Sequence, residues 1–196
     1  MIKLVAQAKL PTEFGVFDIH IFKNSIGCGE PVVLTMGDFL TGKSILCRVH
    51  SECMTGEVFH SIKCDCHAQL MLAMKKIAKI KQGIIIYLRQ EGRGIGLVNK
   101  IKAYRLEDLG YDTVDANLEL GLPVDNRQYD LAIKILQYFG IKQINLMTNN
   151  PDKISAFNRS KIKVIKRVPV EIKPSRLNKN YLQTKKRRLG HLLKNV

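Results

Sequence analysis

The sequence predicts an α/β fold, a mixed β-sheet with helices packed on its faces and a hairpin-rich N-terminal part. Three observations predict it. The first fifty residues are short β-prone runs punctuated by turn residues: Pro11, Gly15, Gly27, Gly29-Glu30-Pro31, Gly37 and Gly42. From Ser44 onward, strand-sized apolar runs alternate with helical periodicities of about ten to fifteen residues, the pattern of an α/β sheet. Apolar residues make up 45% and charged residues 25% of 196, enough core for one domain and too apolar for wholesale disorder. Residues 1–174 are expected to form that domain, with residues 175–196 a basic tail belonging to it.

The elements follow in order. Ser44 to Val49 reads as a buried strand leading into His50-Ser51-Glu52-Cys53. Asp65 starts a helix in which Cys66, Leu70, Ala73, Met74 and Ile77 recur at helical spacing, and Gly83 follows its last turn. Ile84 to Leu88 is a second buried strand. The loop Arg89 to Gly94 enters a helix with Leu97, Ile101 and Tyr104 on one stripe. A further helix follows Asp125, with Leu131, Ile135 and Tyr138 or Phe139 facing inward; Asp125 and Gln128 have the spacing of an N-cap and its reciprocal partner. Ile144 to Thr148 is a strand, Asn149-Asn150-Pro151 opens a short helix with proline at its first position, and Ile162 to Val168 is the last strand. Beyond Pro174 the chain is polar and basic, a helix or arm packed at the surface or against a second subunit.

Charge narrows the partners. The chain has 32 basic and 17 acidic residues, a net +15, which favours nucleic acid, an anionic membrane surface or a phosphorylated small molecule. Most lysines are scattered, as a solvated surface also requires, and only Lys185-Lys186-Arg187-Arg188 forms a compact run. No apolar run approaches the roughly 20 residues of a membrane span. Gln7 and Lys9 interrupt Leu4-Val5-Ala6 before a signal-peptide core forms. A cytoplasmic protein with no membrane partner is expected. Five cysteines, an odd number, argue against a disulfide framework. Cys28 and Cys47 read as small buried apolar residues.

Cys53, Cys64 and Cys66 carry the chemistry. Their C-x10-C-x-C spacing offers three soft ligands suited to zinc, and three protein ligands leave the fourth tetrahedral position for water. The helix N-terminus beside Cys66 favours its thiolate. Two other readings stand beside this one: three unconnected reduced thiols, and a structural Cys3His site using His50, His60 or His67. His50-Ser51-Glu52 is half of the zinc-deaminase signature, whose P-C-x-x-C half is missing. Glu91-Gly92-Arg93-Gly94-Ile95-Gly96 follows a strand and opens a helix, a geometry able to present N–H groups and an arginine to phosphates; a plain glycine-rich turn fits it as well. Asn150-Pro151-Asp152-Lys153 offers the same, or simply an exposed lysine at a helix start. Tyr104 also reads as a core aromatic.

Together these segments resemble GTP cyclohydrolase II. The matching strings are Arg48 to Cys53, Cys64-Asp65-Cys66 with Gln69, Arg89 to Arg93 with Ile95-Gly96-Leu97, and Asn99-Lys100. They continue with Asp112-Thr113-Val114, Asp125 with Arg127, Leu146 to Pro151 with Lys153, and Tyr181-Leu182, Thr184-Lys185 and Gly190-His191-Leu192. His67 stands where the family usually has glycine. The resemblance implies one zinc per subunit on Cys53, Cys64 and Cys66. It implies GTP contacts from Arg48, Val49, His50, Ser51, Glu52, Gln69, Glu91, Gly92, Arg93, Thr113, Thr148 and Lys153. It makes Asp125 the proton acceptor and Arg127 the nucleophile, with Tyr104 beside the reacting groups. The implied reaction hydrolyses GTP to formate, pyrophosphate and a 2,5-diamino-6-(5-phosphoribosylamino)pyrimidinone, the first step of riboflavin biosynthesis. Mg2+ assists the polyphosphate, and the assembly is a homodimer without nucleic acid.

Physical chemistry fills in these roles. A triphosphate carries roughly four negative charges, which Arg48, Arg93 and Lys153 would clamp. Three thiolates make a metal a weaker Lewis acid than three imidazoles do, so neighbouring cations or hydrogen bonds to sulfur must compensate. A guanidinium has no readily available lone pair, so an electrostatic Arg127 stabilising the transferring phosphoryl group is the simpler physical alternative to a nucleophilic one. Two other function classes compete: a zinc-dependent nucleoside or nucleotide deaminase, and a zinc-stabilised nucleic-acid-binding module.

Overall fold

The computed structural model describes residues 2–24, 29–39 and 43–196. In chain order these form strands β1 (Ile2–Thr12), β2 (Gly15–Asn24), β3 (Val32–Met36), β4 (Ile45–Ser51), β5 (Gly83–Leu88), β6 (Gln143–Met147) and β7 (Lys163–Val168). The helices are α1 (Met54–Glu57), α2 (Cys66–Ile80), α3 (Leu97–Asp108), α4 (Thr113–Glu119), α5 (Asp130–Tyr138), α6 (Pro151–Asn158) and α7 (Lys179–Arg188). The chain divides into two compact units. The first is Met1–His50, Leu70–Arg89 and Tyr129–Val170; the second is Ser51–Gln69, Gln90–Gln128 and Glu171–Val196.

The first unit carries one seven-stranded sheet in the order β1-β2-β3-β5-β4-β6-β7. β1, β2, β3 and β5 pair antiparallel, whereas β4, β6 and β7 pair parallel, so the sheet is mixed as expected. Thr12 closes the β1–β2 hairpin: its hydroxyl donates to the Gly15 carbonyl at 2.7 Å and accepts from the Phe14 amide at 3.2 Å. β5 is an unbroken apolar run because both its faces are covered. Ile84, Ile86 and Leu88 join Ile135 and Leu136 of α5 and Phe157 of α6 in one core. Ile85 points the other way, to Ala73, Met74 and Ile77 of α2. Cys47 is wholly buried in the larger core, and burial pushes its thiol up to about 12, so it behaves as an apolar residue. The same expectation for Cys28 falls outside the described residues.

The second unit holds α1, the first turn of α2, α3, α4 and α7. Helix α4 is not among the elements read from the sequence. Asp112 caps it, accepting from the Val114 amide at 2.7 Å and the Asp115 amide at 3.0 Å. The stripe expected on α3 is displaced. Ile101 is 49% exposed, and the inner face is Lys100 and Ala103, with Tyr104 half-buried beside them.

Around α5, one expectation needs correction and one open choice is resolved. The helix begins at Asp130 with Tyr129 as its N-cap, so Asp125 caps nothing; its carboxylate is taken by the backbone and guanidinium of Arg127. Tyr138 is half exposed, and Phe139 is the inward aromatic, packed edge-on to Phe22 with ring centroids 6.0 Å apart. Residues 179–188 of the tail are helical, with Leu182 and Lys185 buried. Among the described residues, no helix is long and apolar enough to cross a membrane.

Candidate active site

Cys53 follows β4 and precedes the single turn of α1, whose Gly56 and Glu57 amides donate to its carbonyl at 3.1 and 2.8 Å. Cys66 opens α2, and Cys64 sits two residues before it. The Sγ atoms of Cys53 and Cys64 are 3.7 Å apart, and those of all three cysteines lie within 4.8 Å of one another. Two thiolates about 2.3 Å from a tetrahedral zinc are about 3.8 Å apart, which the Cys53–Cys64 pair matches and which the third sulfur lies near enough to share. Gly56 makes room for it: a Cβ there would stand 2.9 Å from the Cys64 sulfur and 3.3 Å from that of Cys53.

No histidine joins the cluster among the described residues. His60 and His67 lie against each other, 4.5 Å between ring centroids, and His50 stacks on Tyr87 at 5.7 Å within the first unit. Among the described residues a Cys3His set is therefore not assembled.

The thiols share charge unequally. Hydrogen bonds from Cys64 and Cys66, with the Lys100 ammonium nearby, hold Cys53 far below an ordinary thiol, while the same bonds push Cys64 and Cys66 up. Lys100 is buried; its Nζ donates to Cys53 Sγ at 3.2 Å and to Glu91 Oε1 at 2.8 Å. Burial opposes its charge, but the Glu91 bond and the Cys53 thiolate outweigh burial and raise its pKa. Glu91 is fixed in turn by the Met54 amide at 2.6 Å and the Gly92 amide at 2.8 Å. Tyr104, one turn after Lys100, reaches the Thr55 hydroxyl at 3.5 Å, and burial pushes its phenol up.

The loop after β5 holds one strained residue, Arg93, among glycines. Gly92, Arg93, Gly94 and Gly96 have φ of 62°, 60°, 87° and 84°, and a non-glycine residue in that region costs about 1–3 kcal/mol. Among the described residues, both terminal nitrogens of Arg93 are buried without a hydrogen-bond partner. Unpaired buried donors are expensive, so this guanidinium is prepared for an anion. The Asn126 amide donates to the Arg93 carbonyl at 2.9 Å, tying this loop to the segment bearing Asp125 and Arg127. Arg127 donates its amide to Asp125 Oδ1 at 3.0 Å and its Nε to the same oxygen at 2.9 Å, while Nη2 donates to Oδ2. Burial alone would raise Asp125, but these bonds win and hold it below the ordinary carboxylate range.

The remaining expected residues fall as follows. In the second unit, Ser51 Oγ donates to Gln90 at 3.5 Å, Gln69 donates to Asp65 Oδ2 at 2.5 Å, Thr113 hydrogen-bonds Glu107, and Glu52 is half-buried. In the first unit, Arg48 and Lys153 are buried rather than exposed. Arg48 donates to the Met147 carbonyl at 2.9 Å and approaches His50 Nδ1 at 3.4 Å, and Lys153 donates to the Val49 carbonyl at 2.7 Å. Thr148, just after β6, accepts from the Asn150 amide at 3.0 Å, and Asn150 caps α6. These residues gather at the carboxyl ends of the parallel strands β4 and β6, where open α/β sheets place ligands.

The sequence profile of the family "GTP cyclohydrolase II" matches residues 3–169. The chain belongs to this family. It is 52% identical over 193 residues to "GTP cyclohydrolase-2" of Neisseria meningitidis serogroup C, covering 98% of both chains. The protein of that name from Shewanella sediminis is 50% identical, with 98% of this chain and 94% of that one aligned. The one from Picrophilus torridus is 48% identical, with 98% and 100% aligned. Among solved structures, a two-domain 3,4-dihydroxy-2-butanone 4-phosphate synthase from A. baumannii aligns with 85% of this chain and 40% of that one. Its TM-score is 0.44 at 12% identity, too loose a likeness to bear on the fold.

For this GTP cyclohydrolase II family member, sequence reasoning gave no role to Lys100, Asp65, Tyr181 or Lys185, which the structure places around the thiols and Arg93. A signal for the first was present. Lys100, Tyr104 and Glu107 recur at i, i+4 and i+7, a polar stripe at helical spacing that an apolar-periodicity search passes over.

Proposed function

We propose that this chain hydrolyses GTP, opening the guanine imidazole ring and releasing formate and pyrophosphate, with zinc held by Cys53, Cys64 and Cys66. The observation that carries the reading is the thiol trio, its sulfurs within 4.8 Å of one another and joined by no histidine, carboxylate or further cysteine among the described residues, in a chain of the GTP cyclohydrolase II family. Zinc bound there supplies Lewis-acid activation of solvent for attack on the ring carbon. Lys100 puts a positive charge against one of the three thiolates and so restores part of the Lewis acidity that sulfur ligands remove. Glu91 holds that ammonium in place. Tyr104, its phenol kept protonated by burial, stands ready as a hydrogen-bond donor close to the reacting groups.

Arg93 takes the polyphosphate, whose oxygens satisfy the guanidinium nitrogens that the protein leaves unpaired. Mg2+ accompanies the polyphosphate. For Arg48, Val49, His50, Ser51, Glu52, Gln69, Glu91, Gly92, Thr113, Thr148 and Lys153, the role of GTP contacts rests on the family resemblance. Asp125 and Arg127 act at the α-phosphorus. The resemblance makes Arg127 the nucleophile and Asp125 its proton acceptor. The depressed Asp125 favours a second reading, because a carboxylate held by a guanidinium is a poor base. In that reading Asp125 orients Arg127, and the guanidinium stabilises charge on the phosphoryl group. The chain is further proposed to work in the cytoplasm as a homodimer, with residues 1–174 as the catalytic domain and residues 175–196 part of it.

Incubating zinc-loaded protein with GTP and Mg2+ while assaying formate, pyrophosphate and ammonia tests the reaction. Formate and pyrophosphate in equal amounts without ammonia are expected. Ammonia without formate would make the protein a deaminase. No turnover together with salt-sensitive binding to DNA or RNA would make it a nucleic-acid-binding module.

A further inference from the structure

Helix α7 lies beyond residues 3–169, the span that matches the family profile, yet it contributes buried polar groups to the second unit. Lys185 is buried, and its Nζ donates to Asp65 Oδ1 at 3.0 Å. Asp65 stands between Cys64 and Cys66 in the chain, and its other oxygen accepts from Gln69. Both carboxylate oxygens are thus fixed, and with them the segment that carries two of the three thiols. The same ammonium lies 4.4 Å from the centroid of the Tyr181 ring, and the Arg93 guanidinium lies 5.9 Å from that ring. Tyr181 and Lys185 are four residues apart and so share one face of the helix. Among the described residues the terminal nitrogens of Arg93 have no hydrogen-bond partner, so the negative face of Tyr181 is a preformed attraction that steadies its plane while leaving those nitrogens for an anion.

We propose that α7 is a working part of the site. Tyr181 is a positioning residue for the Arg93 guanidinium, and Lys185 is a positioning residue for Cys64-Asp65-Cys66. Through the first, α7 sets how tightly a polyphosphate is bound; through the second, how firmly the metal is retained. The Tyr181 half rests on the reading of Arg93 as a phosphate contact. The Lys185 half is independent of turnover.

The experiment compares full-length Tyr181→Leu, Tyr181→Phe, Lys185→Met and Lys185→Arg with the parent. Tyr181→Leu raises KM for GTP about tenfold with kcat changed less than about threefold, and Tyr181→Phe, which keeps the ring, restores most of the loss. Lys185→Met speeds zinc loss to a chromogenic chelator about tenfold or more, and Lys185→Arg recovers most of the retention. Lys185→Met strands a buried carboxylate and can fail to fold. The double variant Asp65→Asn with Lys185→Met removes both charges and is expected to lose zinc quickly while keeping the parent circular dichroism. A parent KM in Tyr181→Leu overturns the Tyr181 half, and parent zinc retention in the folded double variant overturns the Lys185 half. A parent protein that releases no formate from GTP defeats the proposed reaction, whereas the chelator assay still decides on Lys185.

Discussion

Replacing Cys53, Cys64 or Cys66 by serine exchanges a soft thiolate for a hydroxyl that stays protonated at neutral pH, and the three sulfurs lie too close together for a neighbour to substitute. Each variant is expected to purify with at most about a tenth of the parent zinc, read by elemental analysis, and with no formate release. Zinc-free protein that still opened the ring would remove the metal from the chemistry. Arg127 discriminates two roles. Arg127→Ala is expected to abolish pyrophosphate release under either. Arg127→Lys, which keeps the charge but loses the fork to Asp125, retains a measurable fraction if the residue acts electrostatically and none if it is the attacking group. The thiol trio was legible as a candidate because three of the five cysteines fall within fourteen residues and thiolates are ready zinc ligands. The Asp125–Arg127 pair was named only through the family resemblance. Read locally, Asp125 with Gln128 looked like a helix start, and only the position of the Arg127 guanidinium shows where the carboxylate goes.

Helix α4 shows what a single capping residue contributes to an element. Asp112 accepts two amides of its first turn and an ion pair from Arg188, whose guanidinium also reaches Asp115. Burial would raise the Asp112 pKa, but the Asp115 amide, Arg188 and the Val114 amide together lower it. A folded-state pKa below the ordinary value means stabilisation that is complete above the carboxylate range and lost as pH falls through it. Asp112→Ala is therefore expected to cost about 1 kcal/mol at neutral pH, measured by denaturant melts, with the gap to the parent narrowing as pH falls through and below the ordinary carboxylate range. Equal stability at neutral pH would sink the capping account. Elements with one apolar face, α2 and α5, were legible from spacing, as was β5 from its unbroken run. Helix α4 escaped because seven residues give too few turns for a period to show. The stripe on α3 was misplaced because its buried face is polar, built around Lys100 and Tyr104.

At the scale of the whole molecule, the net +15 meets a substrate of roughly four negative charges, and screening weakens such attraction over a Debye length of about 8–10 Å. KM for GTP is expected to rise several-fold between about 0.05 and 0.5 M salt while kcat holds; a flat profile would show that the excess charge serves only the surface. The mixed sheet was legible from alternating runs, but not the interleaving of the two units, since no local pattern marks contacts between distant stretches. The chemistry-bearing unit is drawn from three stretches, Ser51–Gln69, Gln90–Gln128 and Glu171–Val196, separated by stretches of the first. A ribosome delivers these one after another. All three sulfurs have been synthesised by residue 66, whereas the ammonium that locks Asp65 follows that carboxylate by 120 residues, on the order of ten seconds at ordinary translation speed. During that interval the nascent polypeptide carries the three thiols without the ion pair that fixes Asp65 in the finished chain, so a bracing role for Lys185 would leave them most open to oxidants and stray ions before synthesis ends.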